Sequence, residues 1–151
     1  MRLTLFSFVL LLSLADVNAQ STTRVREFNL SKGIAIGGYD PVSYFDGKPV
    51  PGRVDQEYEY LGVRYRFSSP KNFSRFKETP DKYEPAYGGW CAYAMGESGE
   101  KVKIDPLTYK ILNGRLYLFY NFWGNNTLQD WNKAEQRLKQ AADQNWKKFV
   151  Q

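Results

Sequence analysis

The segment Tyr87-Gly88-Gly89-Trp90-Cys91-Ala92 holds the only cysteine of the chain, and the chain has no histidine. Those two facts bound the chemistry. Without an imidazole there is no Ser-His-Asp or Cys-His pair, no histidine general base and no zinc site built on His. One thiol among glycines and aromatics remains. As a thiolate, Cys91 would suit a soft ion such as Cu(I), and the Met95 thioether stands four residues on, at the spacing that shares one helical face. The plainer use is a small apolar cysteine packed beneath the Gly88-Gly89 turn, since free cysteine is among the most buried residue types. An intermolecular disulfide is a third use, because one cysteine forms no internal bridge.

Asp40 and Asp105 each precede a proline. Such a carboxylate pair could do acid–base work or hold an ion, and each residue could equally initiate a turn by capping local backbone amides. Gly37-Gly38 and Gly88-Gly89 lack the spacing of phosphate-binding loops and read as tight turns or points of close backbone approach. Tyr39, Tyr44, Tyr87, Trp90 and Tyr93 flank those turns. They could line a pocket for a flat apolar ligand, or pack with their hydroxyls at the surface. No nucleophile–base pair is legible, which argues against an enzyme.

The elements that must position these residues are two hairpins, each followed by a helix. Glu57 to Tyr60 and Val63 to Phe67 alternate cleanly around Leu61-Gly62, with Arg64 and Arg66 outward. The second pair, Tyr109 to Leu112 and Arg115 to Tyr120, flanks Asn113-Gly114, which supplies the two positive-φ positions of a type I′ turn. Ser69-Pro70 predicts an N-cap and first helical position, with Phe73 and Phe76 on one face and Thr79-Pro80 as the stop. A longer helix is predicted from about Thr127 to Phe149, capped by Thr127, with Leu128, Trp131, Leu138, Ala142, Trp146 and Phe149 in one stripe. Val42 to Phe45 reads as a short extended segment. The expected fold is α+β: a small antiparallel sheet built from the two hairpins, packed by a short helix and a longer C-terminal helix. The recurring hairpin–helix order permits an internal duplication.

Residues 1–19 read as a signal peptide. Arg2 is the charged start, Leu3 to Leu14 the apolar run, and Val17-Asn18-Ala19 the small residues before a cut at Gln20. The run is shorter than the roughly 20 apolar residues of a membrane span, and Asp16 interrupts it. The expectation is an exported protein, periplasmic or secreted, with no transmembrane anchor after cleavage. A polar lead over 20–32 then precedes a single domain over 33–151. The net charge of +5 is spread along the chain without a basic block, which argues against a nucleic-acid partner.

Gly38-Tyr39-Asp40-Pro41-Val42-Ser43-Tyr44-Phe45, the series Tyr60, Gly62, Tyr65, Phe67, Asn72, Phe76, Pro80, Tyr83 and Pro85, and the Tyr87 to Ala92 segment together resemble YHS-domain proteins. The pattern is most similar to small exported members, in which an Asp-Pro like Asp105-Pro106 and a hairpin like Leu112 to Leu118 precede a Trp-bearing C-terminal helix. The resemblance implies a binding module, with a metal-binding role suggested for the family and copper the ion in question. Here Ser43 stands where metal-handling relatives carry a cysteine, and the family's naming histidine is absent. The expected function is thus a non-catalytic module holding a soft metal ion or small ligand near Cys91 and its flanking aromatics. The alternative is a structural or protein-interaction domain with Cys91 in the core.

Overall fold

The computed structural model describes residues 17–151. The expected leader therefore lies outside the described residues except for its last three. Residues 17–27 form helix α1, spanning the end of the expected leader and the start of the polar lead, and its half-buried side chains pack along the rest of the domain.

The first hairpin, β3 (Arg53–Tyr60) and β4 (Val63–Phe67), joins two short strands, β1 (Leu30–Ser31) and β2 (Ile34–Ala35), in the order β1-β2-β4-β3. β2 runs parallel to β4 and the other pairs are antiparallel. Alternation sets the sides as expected, with Val63, Tyr65 and Phe67 buried and the two arginines between them not. Helix α2 (Pro70–Glu78) opens on Ser69, whose hydroxyl accepts the Asn72 N–H. It lays Phe76 over the sheet, 4.8 Å from the ring of Tyr65 and 5.1 Å from that of Phe67. A single turn, α3 (Pro80–Tyr83), follows.

The second hairpin, β5 (Asp105–Leu112) and β6 (Arg115–Phe119), makes its own two-stranded ladder. The architecture is α+β, but the two hairpins do not share one sheet. Asn113 and Gly114 both have positive φ, 51° and 74°, as the turn requires. A further small hairpin, β7 (Asn121–Phe122) and β8 (Asn125–Asn126), stands between β6 and the C-terminal helices.

Three local expectations change. The Val42 to Phe45 segment is not extended: Ser43–Asp46 is a 3-10 turn, because the Asp40 carboxylate takes the Val42 N–H at 2.9 Å and the Ser43 hydroxyl donates to the Asp40 carbonyl. The C-terminal helix is two helices, α5 (Thr127–Lys133) and α6 (Glu135–Val150), broken at Ala134 (φ −143°, ψ 32°) so that both Trp131 and Leu138 reach the same core. Its cap is the side chain of Asn126, which accepts from the Leu128 N–H, and not Thr127.

The permitted duplication is visible in the backbone. β3–β4 pairs Arg53 with Phe67, then after a bulge Glu57 with Arg66, through to Tyr60 with Val63. β5–β6 pairs Asp105 with Phe119, then after a bulge Tyr109 with Leu118, through to Leu112 with Arg115. The second ladder is the first displaced by 52 residues (Arg53 to Asp105, Phe67 to Phe119), bulge included. The glycine turns match as well. Ile36, Gly37 and Gly38 have φ of 54°, 59° and 85°; Tyr87, Gly88 and Gly89 have 54°, 59° and 83°. Each turn ends with an aromatic N–H, that of Tyr39 or Trp90, returned to the first residue's carbonyl. Parallel bridges Ile34–Arg64 and Pro85–Leu116 tie each turn to its own hairpin. Residues 34–76 and 85–131 are two copies of one structural unit.

The halves share their interior. One core cluster joins Val63, Tyr65, Phe67 and Phe76 to Cys91, Leu116 and Leu118; a second gathers Tyr87, Met95, Tyr117, Phe119, Trp131 and Leu138. Helix α4 (Ala92–Glu97) crosses α6 closely at Gly96, where a Cβ would lie 2.5 Å from the Leu138 carbonyl oxygen.

Candidate functional site

The sequence-predicted residues fall into three places. Asp40 is fully buried and accepts four hydrogen bonds: from the Val42 N–H at 2.9 Å, the Ser68 N–H at 2.8 Å, the Ser68 hydroxyl at 2.6 Å and the Asn72 amide at 2.7 Å. Asp105 takes the Leu107 N–H at 3.0 Å and the Thr108 hydroxyl at 2.7 Å. Both carboxylates are therefore committed to capping, the use an Asp-Pro step makes of its side chain. Tyr44 lies between the two turns, its hydroxyl donating to the Pro106 carbonyl at 2.8 Å, and burial pushes its pKa far up. Tyr39 packs half-buried against the same core. This end of the molecule is a filled joint.

Cys91 has no exposed surface. Its sulfur accepts the Tyr120 N–H at 3.3 Å and lies 3.4 Å from the Thr127 hydroxyl, which itself donates to the Tyr120 carbonyl at 2.9 Å. An S–H donated to Thr127 satisfies every partner in that chain. Met95 is equally buried but belongs to the other cluster. Among the described residues no three of Cys, Asp and Glu converge as metal ligands. The donors as they stand do not fit a soft ion held by one chain, which would have to displace both Tyr120 and Thr127 from the sulfur. Beside Cys91, Tyr93 and Tyr120 wall a shallow groove of about 280 Å³.

Tyr87 leads elsewhere, to a cleft of about 650 Å³ between α1, the Pro85–Gly88 turn and α6. Its apolar wall is Phe28 and Trp146, whose rings sit 5.9 Å apart. Those rings close over Gly88, where a Cβ would come within 2.8 Å of both; positive φ and this contact together require glycine. The polar side is an ion pair of Arg24 with Glu84, which also accepts the Tyr65 hydroxyl. Burial opposes the Arg24 charge, but the hydrogen bond and charge of Glu84 outweigh it and raise the pKa above its ordinary value. Burial, then the Glu84 charge, pushes the Tyr65 phenol well up. The Tyr87 hydroxyl donates to Asp143 at 2.9 Å; burial and that carboxylate raise its pKa strongly. Arg115 stands exposed at the lip and makes no ion pair among the described residues. Trp90 closes the turn's outer side, its indole N–H donating to the Glu27 carbonyl at 2.7 Å.

The aromatic turns thus do not converge on one pocket. Tyr39 and Tyr44 serve the capped joint, Tyr87 the cleft, and Tyr93 the groove at Cys91. Sequence reasoning missed Arg24, Phe28, Glu84 and Arg115: the first two lie in the polar lead, and the other two sit inside quoted motifs where nothing but their charge set them apart.

Residues 41–87 match the family model of the YHS domain. That span begins after Asp40, so it omits β2 and the first glycine turn but takes in the first hairpin and α2, and it ends at the first residue of the second glycine turn, so Cys91 and Met95 lie beyond it. Comparison with curated proteins and with solved structures finds no match.

Proposed function

We propose that this chain is an exported, non-catalytic binding module whose ligand is a small organic acid with an apolar body, held in the cleft between α1, the Pro85–Gly88 turn and α6. The observation that carries this reading is the Phe28–Trp146 wall together with the Arg115 guanidinium, which makes no ion pair among the described residues, at the lip of a roughly 650 Å³ cleft. That volume falls in the range of ordinary small-molecule sites, and a few placed polar groups against an apolar wall are their usual composition. The carboxylates described above are engaged in caps or ion pairs, and the phenols of Tyr44, Tyr65 and Tyr87 are held protonated by burial. Neither set offers a free acid–base pair.

The probe is anilinonaphthalene sulfonate, an aromatic body with one anionic group. Its fluorescence should rise saturably with the folded protein. Arg115→Gln should weaken binding about tenfold, the scale of one charge-assisted hydrogen bond, and Trp146→Ala should weaken it as much or more. Equal binding by all three proteins would overturn the reading. Export is supported by the Arg2, Leu3 to Leu14 and Val17-Asn18-Ala19 pattern. Protein recovered from the periplasm or medium should begin at Gln20, a residue that lines the cleft.

A further inference from the structure

The two structural units differ most between their second strand and their helix. In the first, only Ser68 and Ser69 separate β4 from α2; in the second, Tyr120 to Asn126 separate β6 from α5. The extra residues form the β7–β8 hairpin, whose turn is Trp123-Gly124. Trp123 is 95% exposed and has φ of 51°. A left-handed conformation costs a bulky L-residue about 1–2 kcal/mol, and an indole this exposed recovers little of it through its one ring contact, with Phe122. Phe122, 40% exposed, packs on both Tyr120 and Trp123, with ring centroids 5.1 Å and 6.1 Å away. The hairpin is an aromatic knob held out by its neighbours.

The groove over Cys91 lies at the foot of this knob, since Tyr120, Asn125 and Thr127 of the hairpin stem form one of its walls. Tyr93, Ala94 and Val102 form the other. At about 280 Å³ it is smaller than an ordinary ligand site and has room for one aromatic side chain. We propose that the Trp123 hairpin docks into this groove on a second copy of the chain, each copy giving a knob and receiving one.

Three observations select that occupant. Knob and hole share one surface patch, which is what a two-fold, self-complementary interface requires. Tyr120 to Thr127 contains no charged residue, so its burial desolvates no ion. The groove's rim carries Glu97, ion-paired with Arg137, and Glu100; the Glu100 carboxylate offers an acceptor to an indole N–H and no attraction to an anionic membrane. An exposed Trp and part of a Phe bring roughly 300 Å² per knob; with a matching area on each receiving face, the reciprocal pair buries at most roughly 1,200 Å² in all. That is the lower end of specific interfaces and fits a reversible dimer.

Sedimentation velocity over a concentration series tests this. Wild type should pass from monomer to dimer. Trp123→Ala, which removes the knob, and Ala94→Arg, which fills the hole, should each raise the dissociation constant at least tenfold. Mixing the two variants should restore part of the dimer, because one intact knob then meets one intact hole. A wild type that stays monomeric at its highest soluble concentration overturns the proposal, as does a dimer indifferent to Trp123→Ala. Trp123-dependent binding to phosphatidylglycerol vesicles by a monomeric protein would also overturn it, in favour of a lipid surface.

Discussion

Asp40 and Cys91 hold the same place in the two halves of the fold. Each follows a turn of two glycines and an aromatic, and each accepts the first backbone N–H beyond its own hairpin, that of Ser68 or Tyr120, 28 or 29 residues on. Each also meets a polar side chain of the following helix, Asn72 or Thr127. The thiol is thereby the positional counterpart of a structural carboxylate.

Asp40→Asn should therefore be costly. An amide must turn at least one N–H toward groups that already donate, so about 2–4 kcal/mol of stability is expected to go. Urea unfolding would measure it, and a loss under about 1 kcal/mol would mean that the four hydrogen bonds are not what holds the joint.

Cys91→Ala leaves the Tyr120 N–H without its partner and should destabilise by about 1–3 kcal/mol. The wild-type thiol should resist labelling under native conditions and react at the rate of unfolding. Fast labelling of the native protein would show that the groove opens to the sulfur.

Gly88→Ala and Gly114→Ala separate backbone from packing. Both positions have positive φ, 59° and 74°, but a Cβ at Gly114 meets open space while one at Gly88 meets Phe28 and Trp146. Gly114→Ala should lose about 1 kcal/mol and Gly88→Ala clearly more. Equal losses would mean that the aromatic wall gives way freely.

Acid should loosen the fold through its paired carboxylates. The hydrogen bond from Lys101, then that from Arg26, holds the Glu27 pKa below its ordinary 4.5. The hydrogen bond from Lys110, with a further one from Trp131, does the same for Glu135. A lowered folded-state value contributes stability above the ordinary value and loses it as pH falls through the lowered one. The melting temperature should thus fall below about pH 4.5. Lys110→Met should flatten part of that fall; an unchanged profile would show that the Glu135 pair adds nothing.

The parts that read correctly were those fixed by neighbouring residues. Asn113-Gly114 sets its turn through its own two φ angles, and Ser69-Pro70 caps α2 from one residue away. The 3-10 turn after Asp40 was missed because its cause is a side chain bonding back to the backbone, which suppresses the extended state that Val42 and Tyr44 prefer. No proline or glycine marks Ala134; the break follows from packing Trp131 and Leu138 together. The cleft was illegible because Arg24 and Glu84 are 60 residues apart. The duplication was legible only as a recurring hairpin–helix order, because what repeats is register and φ, whereas most side chains between differ.

A unit of some fifty residues is marginal on its own, since so short a chain buries too little of its surface to hold a core. The two halves of this chain therefore complete one core, through a cluster that mixes their residues. In structural terms the molecule is a pair of like units written as one polypeptide. Fusion frees such a pair from the rule that identical subunits must change together. One copy carries a carboxylate at its joint; the other carries a thiol there and an aromatic hairpin beyond its second strand, on the same ladder register.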